Sequence, residues 1–140
     1  MITSAQCLKR FGDPIKESSL AVWVVPREII VLIPVIPGRI YCNRLMQAAL
    51  LKAFNNIIDR GLESEMKTWD GCFNIRQKRG ATSLSIHAWA LAIDINAAWN
   101  QFGKPPTMSP ELVLCFTDAG FDWGGIWAKP DGMHFQLAAI

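Results

Sequence analysis

The sequence predicts an α+β protein of one domain, with a small, mainly antiparallel sheet and helices packed on it. Three observations carry this: a length of 140 residues, which suits one domain; a single long amphipathic helical pattern; and several short strand-like runs between Pro- and Gly-bearing loops. Hydrophobic residues make up 51% and charged residues 19% of the chain, the composition of a core-forming protein.

Taken in order, Val22–Val25 and Ile29–Ile33 read as short extended segments, punctuated by Pro26, Pro34 and Pro37. Proline cannot donate to a ladder, so these are edge or irregular strands. Gly38 turns the chain toward a helix over Asn43–Arg60. There Leu45, Met46, Ala49, Leu50, Ala53, Phe54, Ile57 and Ile58 form one stripe at i, i+3, i+4, i+7 spacing. Asn43 is its expected N-cap and Gly61 its left-handed stop. Burying this stripe contributes on the order of 10 kcal/mol gross, before entropy. Strands are expected at Cys72–Arg76, Leu91–Ile95 and His134–Leu137. A second helix is capped by Ser109, starts at Pro110 and stops at Gly120. Loops fall at Gly80–Ser83, Gly103–Thr107 and Lys129–Gly132.

A formal net charge of +2 is too mild to argue for nucleic acid, and Lys9-Arg10 and Lys78-Arg79 read as solvated pairs. The four cysteines (Cys7, Cys42, Cys72, Cys115) show no CxxC spacing and read as reduced, semi-buried thiols. Lys9, Arg10, Asp13, Lys16 and Glu17 precede any long apolar run, so no secretory signal is expected. The apolar stretch Leu20–Ile36 is interrupted by Pro26, Arg27, Glu28 and Pro34, which argues against a membrane span. A soluble, cytoplasmically made monomer is the expectation.

The chemistry is concentrated around the two histidines. His87 lies in Ser85-Ile86-His87-Ala88-Trp89-Ala90-Leu91-Ala92-Ile93-Asp94, and His134 in Trp123-Gly124-Gly125 followed by Asp131-Gly132-Met133-His134-Phe135. Lone histidines are ordinarily polar or core residues, but each of these sits in a carboxylate-bearing cluster. His87, Asp94 and His134 supply the three nitrogen and oxygen donors of a catalytic zinc site, with a fourth position for water and with Asp131 beside it. A rival Ser-His-Asp hydrolase built on Ser85, His87 and Asp94 leaves His134 and Asp131 unexplained and has no GxSxG elbow.

From Trp69 to Gln136 the chain resembles the zinc D-alanyl-D-alanine carboxypeptidase and L-alanyl-D-glutamate endopeptidase family, which includes many phage endolysins. Ser85, His87, Ala90 and Asp94 fall on its first signature, where glycine is usual at the Ala90 position. Trp123-Gly124-Gly125 and Asp131-Gly132-Met133-His134-Phe135 fall on the second, and Trp69–Arg76 with Arg79-Gly80 resembles the segment carrying the active-site arginine. The resemblance implies the zinc DD-peptidase (Hedgehog-like) fold, with a motif-bearing core over about 69–137. It also implies zinc on His87, Asp94 and His134, with Asp131 as proton carrier and Arg76 for a substrate carboxylate or oxyanion. The bland readings are a turn aspartate in Pro130-Asp131-Gly132 and a surface arginine beside Lys78.

Ser85 is expected to hydrogen-bond behind the site, since a metal-bound histidine needs its other nitrogen satisfied. Trp123 and Trp127 either wall the cleft or are plain core. The implied substrate is the peptidoglycan stem peptide, met at the cell wall after release, as by an endolysin that uses a holin. The competing readings are a zinc-stapled binding or structural protein and a cytoplasmic D-Ala-D-Ala dipeptidase.

Overall fold

The computed structural model describes residues 1–140 and contains two antiparallel sheets and four α-helices. The predicted α+β class is borne out, with two small sheets where one was expected. Helix α1 (Ser4–Phe11) opens with a reciprocal capping box between Thr3 and Gln6. Strand β1 (Leu20–Val24) pairs with β2 (Arg39–Asn43) in the first sheet.

Between them lies a correction. The run expected to be extended at Ile29–Ile33 is the core of helix α2 (Arg27–Leu32). Ile29 and Ile33, four residues apart, are buried together, while Val31 is 65% exposed. Burial thus follows the helical period, and Pro26 fits just ahead of the first turn, where no donor is lost.

Helix α3 is shorter than predicted, Met46–Asp59, and buries Met46, Leu50, Ala53, Phe54 and Ile57. Leu45 is its N-cap, and Asn43 is corrected from cap to the last residue of β2. Its side chain accepts from the Leu45 amide and donates to the Trp89 carbonyl. Gly61 has the expected positive φ of 70°.

The second sheet runs in the order β3 (Trp69–Gly71), β4 (Ala92–Ile95), β6 (His134–Leu137), β5 (Phe121–Trp123). The strand expected at Cys72–Arg76 is a second correction: β3 ends at Gly71, where φ is 134°, and Cys72 to Asn74 run as an irregular segment beside the His87 turn. Helix α4 (Pro110–Thr117) begins as predicted, with Ser109 Oγ accepting from the Leu112 amide. It packs on α3 and β5, placing Phe116 against Phe135 at 4.5 Å between ring centres.

Register decides which residues can meet. Asp94 lies directly opposite His134, and Ala92 opposite Gln136. Alternate strand residues share a face, so Asp94, His134 and Gln136 project to one side. Ile93, Ile95, Phe135 and Leu137 take the other and join the core.

All four cysteines are free and buried, more deeply than the semi-buried state expected. Burial pushes the Cys7 and Cys42 thiols up to about 11, far from the reactive thiolate. The native protein at neutral pH is expected to leave all four unlabelled by a thiol reagent over minutes, and to label all four in denaturant. Fast labelling of the native chain would contradict this packing. No helix is long and apolar enough to cross a membrane.

Candidate metal centre and cleft

His87 rides on a 3-10 turn, Ile86–Trp89, between β3 and β4. Ser85 caps that turn by accepting from the His87 amide at 3.3 Å, so it holds the backbone and not the imidazole, a correction to its expected role. No Ser-His relay forms, because His87 Nδ1 faces the Cys72 carbonyl and its Nε2 faces Asp94 and His134. Ala90 ends the turn in the left-handed region, φ 53° and ψ 39°, which explains why glycine is usual there. Alanine in that conformation costs roughly 1–2 kcal/mol. The neighbours hold it nonetheless: the Ala90 carbonyl accepts from the Asn43 amide, and Trp89 Nε1 donates to Gly12 at the end of α1.

His87 Nε2, His134 Nδ1 and the Asp94 carboxylate converge, their ligating atoms all within 4.8 Å of one another. His87 Nε2 lies 3.2 Å from Asp94 Oδ2 and 3.2 Å from His134 Nδ1. The outer nitrogens fix the tautomers. His87 Nδ1 faces the Cys72 carbonyl at 2.7 Å, which can only accept, and His134 Nε2 faces Gln136 Oε1 at 2.9 Å. With protons held outward, two imidazole lone pairs and a carboxylate point at one spot with no donor among them. Asp94 Oδ1 is buried without a hydrogen-bond partner, its 3.5 Å approach to His134 Nδ1 being too long and poorly aligned. Three converging acceptors and an orphaned carboxylate oxygen are the arrangement a divalent cation satisfies. The donor set of two imidazoles and one carboxylate suits zinc. Burial alone would raise the Asp94 pKa, but any proton entering this group goes to an imidazole, and His134 and His87 thereby hold the Asp94 carboxyl well below its usual range.

Asp131 lies beside this group in a tightly anchored loop. Its amide donates to the Gly124 carbonyl at 2.9 Å, and its carbonyl accepts from the His134 amide. Trp123 Nε1 donates to the Gly132 carbonyl at 2.8 Å. These bonds give the Trp-Gly-Gly motif its physical meaning. A Cβ on Gly124 would sit 2.6 Å from the Asp131 carbonyl oxygen, and one on Gly125 would run into the Trp123 ring. Trp123 therefore clamps the loop and stacks on Phe135, and it lines neither cavity of the site. Trp127 does line the cleft, with its ring 5.2 Å from that of His134. Gly124→Ala is expected to destabilise the fold by about 1–3 kcal/mol through overpacking and to displace Asp131. An unchanged melting temperature and unchanged activity would contradict the clamp.

The Asp131 carboxylate has one buried oxygen without a partner. Burial raises its pKa, the charge of His134 opposes this, and the nearby Asp94 raises it further. Two cavities flank the metal-ligand group, of about 430 and 370 Å³. The first is lined by Asp131 and His134, the second by His87 and Asp94, and Arg76 and Arg79 line both.

Sequence reasoning missed Gln136, the Cys72 carbonyl and Phe102. Gln136 was legible in principle, since two residues along a strand from His134 puts it on the same face. The Cys72 carbonyl was not, because a backbone contact leaves no residue-type signal.

Fold and site together define a class: a small α+β protein holding a His–Asp–His group able to bind one metal ion at a cleft. Residues 79–137 match the model of the family described as D-alanyl-D-alanine carboxypeptidase, and that stretch carries both histidines together with Asp94 and Asp131. The match falls on the family that the motifs resemble, and it supports a carboxypeptidase-like metallopeptidase. Comparison with curated proteins gives no match, nor does comparison with solved structures.

Proposed function

We propose that the protein is a zinc-dependent peptidase that hydrolyses a peptide bond in the peptidoglycan stem, acting on the cell wall in the manner of a phage endolysin. The observation that carries this reading is the convergence of His87 Nε2, His134 Nδ1 and Asp94 beside a buried carboxylate, Asp131, at a cleft lined by Arg76. A zinc-stapled structural protein has no use for Asp131, whose buried, unpartnered oxygen is a standing cost unless it handles a proton.

His87, Asp94 and His134 would hold the metal, which supplies a water of lowered pKa and polarises the scissile carbonyl. Cys72 and Gln136 fix the imidazoles so that their lone pairs face inward. Asp131, whose buried carboxylate stands beside the metal ligands, takes a proton from the attacking water and delivers it to the leaving amine. Arg76, always charged and forked, binds a substrate carboxylate or the developing oxyanion.

Digestion of purified sacculi tests this. New free amino groups should appear without new reducing sugar ends, and mass spectrometry of the fragments identifies the bond. New reducing ends alone would mean different chemistry. Arg76→Lys should keep metal and fold yet lose activity, because a point charge does not replace a bidentate fork. A kcat/KM within a few-fold of the parent would return Arg76 to the surface.

A further inference from the structure

The cavity on the His134 side has an unusual charge balance. Arg76, Lys78, Arg79 and Lys129 line it, against a single carboxylate, Asp131. None of the four cations takes part in an ion pair, since the ion pairs of the fold involve only Arg60 with Asp118 and the two histidines with Asp94. Two of them are brought together by one ring: the Arg79 guanidinium lies 5.2 Å and the Lys129 ammonium 4.8 Å from the centre of Phe102. Four unpaired cations around one cavity repel each other, and the ring offsets only part of that for the two that stand over it. An anion entering the cavity relieves that repulsion.

Backbone contacts keep the three segments in place. The Gly103 amide donates to the Pro130 carbonyl at 2.7 Å, tying the Phe102 turn to the Lys129 loop. The Lys78 amide donates to the Ser83 carbonyl at 2.9 Å, and Gln77 bridges Leu84, making the Arg79 segment a short hairpin. The cavity on the other side differs: Arg76 and Arg79 reach it too, but there they meet two carboxylates, Asp70 and Asp94, and no lysine. The cleft is therefore cationic beside His134 and charge-balanced beside His87.

We infer that Arg79 and Lys129, on the Phe102 ring, form a second carboxylate subsite distinct from Arg76, and that the preferred substrate is a peptide carrying two carboxylates on the His134 side of the scissile bond. This rests on the proposed peptidase reading and narrows it, since a chain end with only one carboxylate leaves the pair empty. Arg79 and Lys129 are specificity-determining residues and take no proton or electron in the reaction.

Binding tests the subsite without requiring turnover. N-acetylglutamate carries two carboxylates, and N-acetylglutamine is the same molecule with one of them replaced by an amide. Calorimetric titration of the full chain, as purified, should show the dicarboxylate bound about tenfold more tightly, a ratio that shrinks with added salt. The double variant Arg79→Gln with Lys129→Gln should bring the two probes to within about twofold of each other with an unchanged melting temperature. Equal affinities in the parent chain, or a preference that survives the double variant, would overturn the subsite. Sacculus digestion reports separately on the peptidase reading. Hydrolysis without probe preference removes the subsite alone, and probe preference without hydrolysis leaves the subsite standing while the peptidase reading falls.

Discussion

Asp131→Asn is expected to leave a folded, metal-loaded and nearly inert protein. The substitution keeps the side chain's size and leaves the backbone bonds to Gly124 and His134 in place, so the loop has no reason to move. What is removed is the capacity to accept a proton. General acid–base help is worth roughly 10²–10⁴ in rate, about 3–5 kcal/mol of barrier at ~1.4 kcal/mol per tenfold. Zinc content, melting temperature and kcat measured together decide the matter, and only the last should change. If the variant retains most of its activity, Asp131 is a turn residue and the proton carrier lies elsewhere.

Asp94→Asn should do the opposite. Its carboxylate is the only anion among the three converging ligands and sits between both imidazoles, so its loss removes the charge that holds a cation there. Metal binding is coupled to folding. A site saturated at a hundred times its dissociation constant contributes about 2.7 kcal/mol, which for a chain of this size is roughly 10 °C of melting temperature. The variant should lose that increment together with its zinc, and the metal-stripped parent should melt close to it. Full zinc occupancy in the variant would show that Asp94 is not a ligand.

The placement of these two carboxylates was legible in the sequence, because each sits at a fixed offset from a histidine within a short motif. Strand pairing then does what spacing implies: Asp94 faces His134 across β4 and β6. Helix α4 was equally legible, since Ser109, Pro110 and Gly120 act through local backbone chemistry. Helix α2 was not. Its run of Ile, Ile, Val, Leu and Ile between prolines has the composition of a strand, and only the burial of Ile29 and Ile33 against the rest of the fold reveals the helical period. Strands β2 and β5 are short and take their order from their partners, so little in their own sequence marks them. The cleft's cationic side was hidden for a similar reason. Lys78-Arg79 reads as a solvated pair and Lys129 as a distant loop residue until the hairpin and the Phe102 turn bring them to one cavity.

The role of Ala90 also required the backbone. As a letter in a motif it is a small residue where glycine is usual; as a conformation it is a left-handed residue at the end of the His87 turn, fully buried. Replacing it with glycine relieves the strain but removes a buried methyl, two effects of about 1 kcal/mol each and opposite sign.

Hydrolysis is expected to depend on one metal ion held by His87, Asp94 and His134. The decisive measurement is release of free amino groups from purified sacculi as zinc is titrated into chelator-stripped protein. Activity should rise in proportion to added zinc and break to a plateau at about one equivalent per chain, as a single tight site of three protein ligands requires. Hydrolysis by the stripped protein at the full rate, before any zinc is added, would contradict it.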